Sequence, residues 1–261
     1  MLKSYFQRFF IKKQKRGKRN FLRLIDAPFQ LEEAYKALRT NLQFVCADKN
    51  IKKILITSSA PGEGKSTVTI NLAIALAQVG HKVIILDCDM RKPKIHTYLK
   101  KQNFPGITNV LAKTNTLDEA IQYDEELGIY MIPCGPVPPN PAELIETKLM
   151  ENALNELGEK FDFVLIDSPP ASFITDASVL SKYADGVLMV FLHRSITFEI
   201  VDLTIKNLKS AGANILGGIL NNVDTEKTGR YNYYRNYNYY RYYAAYYESN
   251  SYDKRIKKSK M

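Results

Sequence analysis

The chain has 261 residues, 45% of them apolar, enough to bury one sizeable α/β core without a second domain. Its three cysteines, Cys46, Cys88 and Cys134, form no CxxC pair and exclude a disulfide framework, and no apolar run approaches the ~18–20 residues that span a bilayer. The net charge of +10 is uneven: residues 1–25 hold nine Lys/Arg and no acid, residues 226–261 hold nine against three acids, and residues 26–225 therefore carry −5. A slightly acidic body with two basic extensions argues against a nucleic-acid-binding stripe on the folded part.

In chain order, residues 1–25 read as a basic arm with scattered aromatics. The arm is either solvated or held near anionic lipid, at about 1 kcal/mol per basic residue close to the surface. Apolar side chains at 31, 34/35, 38, 42 and 45 then predict a helix over 31–45. A strand at 54–57 breaks into Ser58-Ser59-Ala60-Pro61-Gly62-Glu63-Gly64, and Lys65, Ser66 and Thr67 open a helix predicted to run to 79. Backbone N–H groups of such a turn cradle phosphate oxygens, aided by the positive end of the helix dipole. Gly62, Glu63, Gly64, Lys65, Ser66 and Thr67 are therefore candidate nucleotide-binding residues, with Lys65 on the outer phosphates and Ser66 on Mg²⁺. A plain glycine turn would not need the Lys-Ser-Thr triplet as well.

Strands follow at 83–86 and 130–132. A helix over 141–157 starts at Asn140-Pro141, where a proline suits the first helical position. After it come a strand at 163–166, a helical stretch at 176–182, a strand at 187–191, a helix at 198–210 and a strand at 215–220. Continuous apolar strands alternating with amphipathic helices predict an α/β fold, a mostly parallel sheet with helices on both faces. Its ligand belongs outside the carboxyl ends of the strands.

A phosphate loop needs acids to hold its metal and orient the attacking group. Strand 83–86 runs out into Asp87-Cys88-Asp89-Met90-Arg91, and strand 163–166 into Asp167-Ser168-Pro169-Pro170. An aspartate ending one strand is common; two such endings downstream of a phosphate loop favour a metal site. Cys88 reads as a spacer between acids. After residue 224 the pattern changes: eleven of seventeen tyrosines fall between 231 and 252, interleaved with Asn and Arg. Composition leaves three readings open for this tail: a disordered sticky segment, a stacking platform for single strands, or a set of substrates.

These motifs together resemble the bacterial tyrosine kinases of capsule and exopolysaccharide synthesis. The matching stretches are the loop, the apolar-Asp-x-Asp-x-Arg run at 84–91, the apolar-Asp-x-x-Pro run at 164–170, and the terminal tyrosine cluster. The resemblance covers roughly residues 31–247. It is closest to the separate cytoplasmic type that lacks a fused transmembrane domain. The related partition and division-site ATPases carry a lysine where Ala60 stands here, which makes a positioning ATPase the second reading.

The resemblance implies P-loop chemistry with ATP and Mg²⁺: Lys65, Asp87, Asp89 and Asp167 in catalysis; Ser66, Asp89 and Asp167 near the metal; and Asn221 on adenine. It implies autophosphorylation in trans on Tyr231, Tyr233, Tyr234, Tyr237, Tyr239, Tyr240, Tyr242, Tyr243, Tyr246 and Tyr247. Asp87 is the preferred acceptor for the phenol proton, with Asp89 the alternative. A ring-shaped homo-oligomer would use Glu33, Lys36 and Arg39 of helix 31–45. In that motif a lysine replaces the planar guanidinium of the middle position. Implied partners are a membrane modulator with a cytoplasmic activating tail and a cognate phosphotyrosine phosphatase, with peripheral contact at the inner membrane face and no nucleic acid.

Overall fold

A computed structural model describes residues 9–12, 24, 27–47, 50–193, 195 and 197–223. All of them belong to the first of the chain's two units, Met1–Val223. The tyrosines of the tail, and most of the basic arm, lie outside the described residues.

The N-terminal half holds β1 (Phe9–Lys12), α1 (Phe29–Ala47), β2 (Lys53–Ser58), α2 (Lys65–Ala77), β3 (Val83–Asp87), α3 (Ile95–Leu99), α4 (Ile107–Leu111), α5 (Leu117–Ala120), β4 (Gln122–Asp124) and β5 (Ile129–Ile132). Then come α6 (Pro141–Ile145), α7 (Lys148–Lys160), β6 (Phe163–Asp167), α8 (Asp176–Leu180), β7 (Gly186–Leu192), α9 (Phe198–Ser210) and β8 (Ile215–Val223). The strands form one sheet in the order β1-β8-β7-β2-β6-β3-β5-β4, parallel throughout except for the β4–β5 pairing.

The central strands are apolar on both faces because both faces are covered. Ile54, Ile56, Ile85 and Leu165 pack with Tyr35 and Leu38 of α1 and Leu72 of α2. Their neighbours Leu55, Ile84, Leu86, Val164 and Ile166 pack on the other side with Leu154 of α7, Leu180 of α8 and Leu208 of α9. Each such side chain contributes roughly 1.5–3 kcal/mol on burial. The predicted α/β class, mostly parallel with helices on both faces, is what the chain adopts.

Three local expectations are corrected. Residues 1–25 were read as an arm outside the domain, yet Phe9–Lys12 forms an edge strand with Phe9 opposite Ile219 of β8. Within the same segment, Leu24 is buried and its N–H donates to Asn71 Oδ1 at 2.9 Å. An edge of β8 offers a row of unpaired backbone groups, which the four residues Phe9–Lys12 suffice to fill. Second, the single helix expected over 141–157 is two, α6 and α7. Thr147 sits between them in extended conformation, donating to Leu144 O at 2.8 Å and accepting from Met150 N–H at 3.4 Å as the cap of α7. Third, α3, α4, α5 and β4 occupy a stretch to which the sequence pattern assigned nothing.

Loops at the carboxyl end of the sheet are stitched tightly. Asn103 exchanges two hydrogen bonds with Gly135, and a Cβ on Gly106 would overlap the backbone of Cys134 and Gly135. Gly106→Ala is expected to cost about 3 kcal/mol, the upper end for forcing extra volume into packed backbone. A lower urea midpoint at unchanged m-value would show it.

Candidate functional site

The site starts where β2 ends. Gly62 and Gly64 have φ of +84° and +94°, left-handed conformations that glycine adopts without a Cβ penalty. They turn the chain so that Lys65 and Ser66 begin α2, whose first backbone bond runs from Val68 N–H to Gly64 O at 2.9 Å. Glu63, between the glycines, was expected among the nucleotide-binding residues. Its buried carboxylate accepts from the N–H groups of Ser59 and Ala60, both at 2.7 Å, and of Leu192 at 3.2 Å. Burial pushes this carboxyl above its usual range, and the three backbone donors partly offset that. Glu63 thus braces the turn internally. Thr67 lies half-buried in the first turn of α2.

The acids converge on that turn. Asp87 and Asp167 end the adjacent strands β3 and β6 and stand opposite each other in register. Asp167, fully buried, accepts from Ser66 Oγ at 2.6 Å and from Thr69 Oγ1 at 3.4 Å. Asp89 accepts an ion pair from Lys65 Nζ at 2.8 Å, with the lysine side chain 13% and the aspartate 6% exposed. Asp87 reaches neither: it accepts from the N–H groups of Asp89, Lys94 and Ile95 at 3.1–3.2 Å, which folds the 88–94 loop around it. All four predicted catalytic residues therefore gather at the head of α2.

Three carboxyls with one ammonium make protonation uneven. Asp87 is pushed up to about 8, first by burial and next by the charge of Asp167, with backbone hydrogen bonds opposing. Asp167 is also raised by burial, although Lys65 and the Ser66 hydroxyl pull it back. For Lys65, burial works against the charge, but Asp167 and Asp89 outweigh it and hold the ammonium protonated above its usual range. Cys88 and Cys134 are buried beside this cluster, and burial raises both thiols, that of Cys134 to about 12. They are spacers here, not nucleophiles.

Arg91, expected to order its loop or touch phosphate, does the former. Its Nε and Nη2 donate to the two carboxylate oxygens of Asp176 at 2.8 and 3.0 Å, and Asp176 is fully buried at the start of α8. No local pattern marked Asp176; a fork-shaped partner 85 residues away is invisible to spacing. Arg91→Met would leave that carboxylate uncompensated and is expected to lower stability by about 3 kcal/mol. Thermal melts would read it, and Arg91→Lys should recover only part because it cannot bind bidentately.

Asn221 stands on β8 with its Nδ2 donating to Glu63 O at 2.8 Å. On α1, Lys36 Nζ pairs with Glu32 at 2.7 Å and Glu33 at 3.0 Å, while Arg39 Nη1 donates to Ala75 O at 2.9 Å. Arg39 Nε is buried with no hydrogen-bond partner among the described residues. The tail tyrosines expected as acceptors, Tyr231 to Tyr247, fall outside the described residues. Among the described residues no set of three or more His, Cys, Asp or Glu side chains converges as a metal cage. Magnesium does not ask for one: it takes one or two protein oxygens and fills the rest with water and phosphate. The hydroxyl of Ser66 held by Asp167 fits that demand. No described helix is long and apolar enough to cross a membrane.

Comparison with known proteins bears on this geometry. A family model described as an AAA domain matches residues 51–214. The chain is 36% identical over 219 residues to "Tyrosine-protein kinase YwqD" of Bacillus subtilis, covering 84% of this chain and 92% of that one. It superposes on the kinase domain of the Escherichia coli tyrosine kinase ETK with a TM-score of 0.78 at 29% identity, covering 85% and 92% of the two chains. The septum site-determining protein MinD of Pyrococcus horikoshii, solved with Mg-ADP, matches less closely: TM-score 0.56 at 29% identity, covering 65% and 69%. The kinase match thus extends over a fifth more of the fold than the division-site match, in the direction Ala60 had pointed. The chain belongs to the bacterial tyrosine kinases of capsule and exopolysaccharide synthesis and is itself a tyrosine-protein kinase on a P-loop scaffold.

Proposed function

We propose that the protein transfers the γ-phosphoryl group of ATP to tyrosines of its own tail, residues 231–247, in a neighbouring copy, and thereby regulates polysaccharide synthesis and export. The observation that carries this is the gathering of Lys65, Asp87, Asp89 and Asp167 at one turn, in a chain whose other end is dense in tyrosine. Lys65 exchanges its contact with Asp89 for the outer phosphates. Ser66, Asp89 and Asp167 would hold Mg²⁺ directly or through water, and the ion would supply neutralisation of the charge developing on the transferred group. Asn221, the residue expected on adenine, lies against the Glu63–Gly64 turn. A phenol of pKa about 10 must lose its proton to attack. Asp87, raised to about 8 by burial and by the charge of Asp167, is the preferred acceptor for that proton.

Transfer in trans requires assembly, and Glu33, Lys36 and Arg39 lie along one side of α1 for a ring contact. A membrane modulator with a cytoplasmic activating tail, a cognate phosphatase, and peripheral attachment at the inner membrane face complete the reading.

The test mixes two full-length chains, wild type and a mass-tagged Lys65→Met chain that lacks the phosphate-binding ammonium, with Mg-ATP. Mass spectrometry then maps phosphate on each. Phosphotyrosine within 231–247 of the Lys65→Met chain is the expected result. ATP hydrolysis with no modified tyrosine on either chain would instead establish the positioning-ATPase reading.

A further inference from the structure

The turn between Gly62 and Lys65 is held from outside by one side chain that sequence reasoning gave a different task. Asn221 Nδ2 donates to the carbonyl oxygen of Glu63 at 2.8 Å, and the amide lies so close over Gly64 that a Cβ there would overlap it. Asn221 is itself fixed: it pairs with Leu192 across β7 and β8, and its carbonyl accepts from His193 N–H at 2.9 Å. Leu192 N–H donates at 3.2 Å to the Glu63 carboxylate. Glu63, Leu192 and Asn221 thus close a circuit in which both ends of Glu63 are anchored to the sheet.

The consequence lies in the peptide plane between Glu63 and Gly64. In a trans peptide the C=O and the following N–H point in opposite directions. Gly64, at φ +94°, is a residue type that lets that plane flip at little cost. We propose that Asn221 is a positioning residue: by holding the Glu63 carbonyl toward β8, it keeps the Gly64 N–H turned to the opposite side of the loop, as a phosphate donor. This rests on the reading of the turn as a nucleotide site. It assigns Asn221 a role indifferent to the base, distinct from the adenine contact that the family resemblance implied.

The two roles separate by ligand. Full-length wild type, Asn221→Ala and Asn221→Asp are titrated calorimetrically with Mg-ATP, Mg-GTP and Mg-tripolyphosphate, which has no base at all. Loss of one aligned donor should weaken all three by the same factor, roughly five- to tenfold, with Asn221→Asp at least as impaired because it sets an acceptor against an acceptor. A loss confined to Mg-ATP overturns the proposal in favour of an adenine contact, and unchanged affinities overturn it outright. The amide resonance of Gly64 in the ligand-free protein gives a second readout that needs no nucleotide. A displaced or broadened signal in both variants supports the lock, and an unmoved one overturns it. Failure of wild type to bind any of the three ligands would count against the nucleotide reading of the turn, while the Gly64 resonance would still decide the role of Asn221.

Discussion

Lys65→Met removes tyrosine phosphorylation almost entirely: a loss of about 1,000-fold or more is expected when the cation on the transferred phosphoryl group is deleted. The same change should also weaken the ligand-free fold, and in a pH-dependent way. Lys65 is the partner of Asp89 at 2.8 Å, and its charge holds Asp167 down against burial. Breaking a buried pair costs about 3–5 kcal/mol when the remaining charge cannot escape. Here escape is available through protonation, because without the ammonium the folded-state affinity of Asp167 for a proton rises further. The folded state then binds more protons than the unfolded chain above about pH 4, so stability falls as pH rises. The variant should therefore melt well below wild type at pH 8 and approach it at pH 5. Melting curves at the two pH values, paired with phosphotyrosine immunodetection, check both halves. An equal melting deficit at both values would mean that the cluster does not share charge as described.

The site was legible because its chemistry is local. A buried strand, a two-glycine turn and Lys-Ser-Thr lie within the fourteen residues 54–67, and Asp87 and Asp167 each end an apolar run whose neighbours in the sheet the α/β pattern already implied. What spacing cannot show is a partner distant in sequence. Arg91 with Asp176, Glu63 with Leu192, and Asn221 with Glu63 are contacts between segments that meet only once the sheet is assembled. Short elements were missed for another reason. Helices α3, α4 and α5 have four or five residues each, too few for a 3.6-residue period to repeat. The 141–157 run shows the opposite failure. Its apolar period continues across Thr147, and only the threonine's bonds to Leu144 and Met150 reveal two helices meeting at a cap.

Asp87→Asn should separate catalysis from stability by moving them in opposite directions. As the acceptor of the phenol proton, Asp87 is expected to contribute about 100- to 10,000-fold to the rate. The same burial that makes it basic is a burden on the fold. With a folded-state pKa of about 8 against about 3.9 in an unfolded chain, the folded protein must bind a proton or bury a charge. That penalty is absent below about pH 4, grows as pH rises, and is complete above about 8. Asparagine cannot ionise, so the ligand-free variant should melt progressively higher relative to wild type between pH 5 and pH 9, while its kinase activity is lost throughout. Asp89→Asn, which takes the partner from Lys65, should lose activity without that gain. If Asp89→Asn instead shows the rising stability difference and, alone of the two variants, lacks the acid-side limb of the wild-type pH–rate profile, the proton acceptor is Asp89, and Asp87 serves to fold the 88–94 loop around its carboxylate.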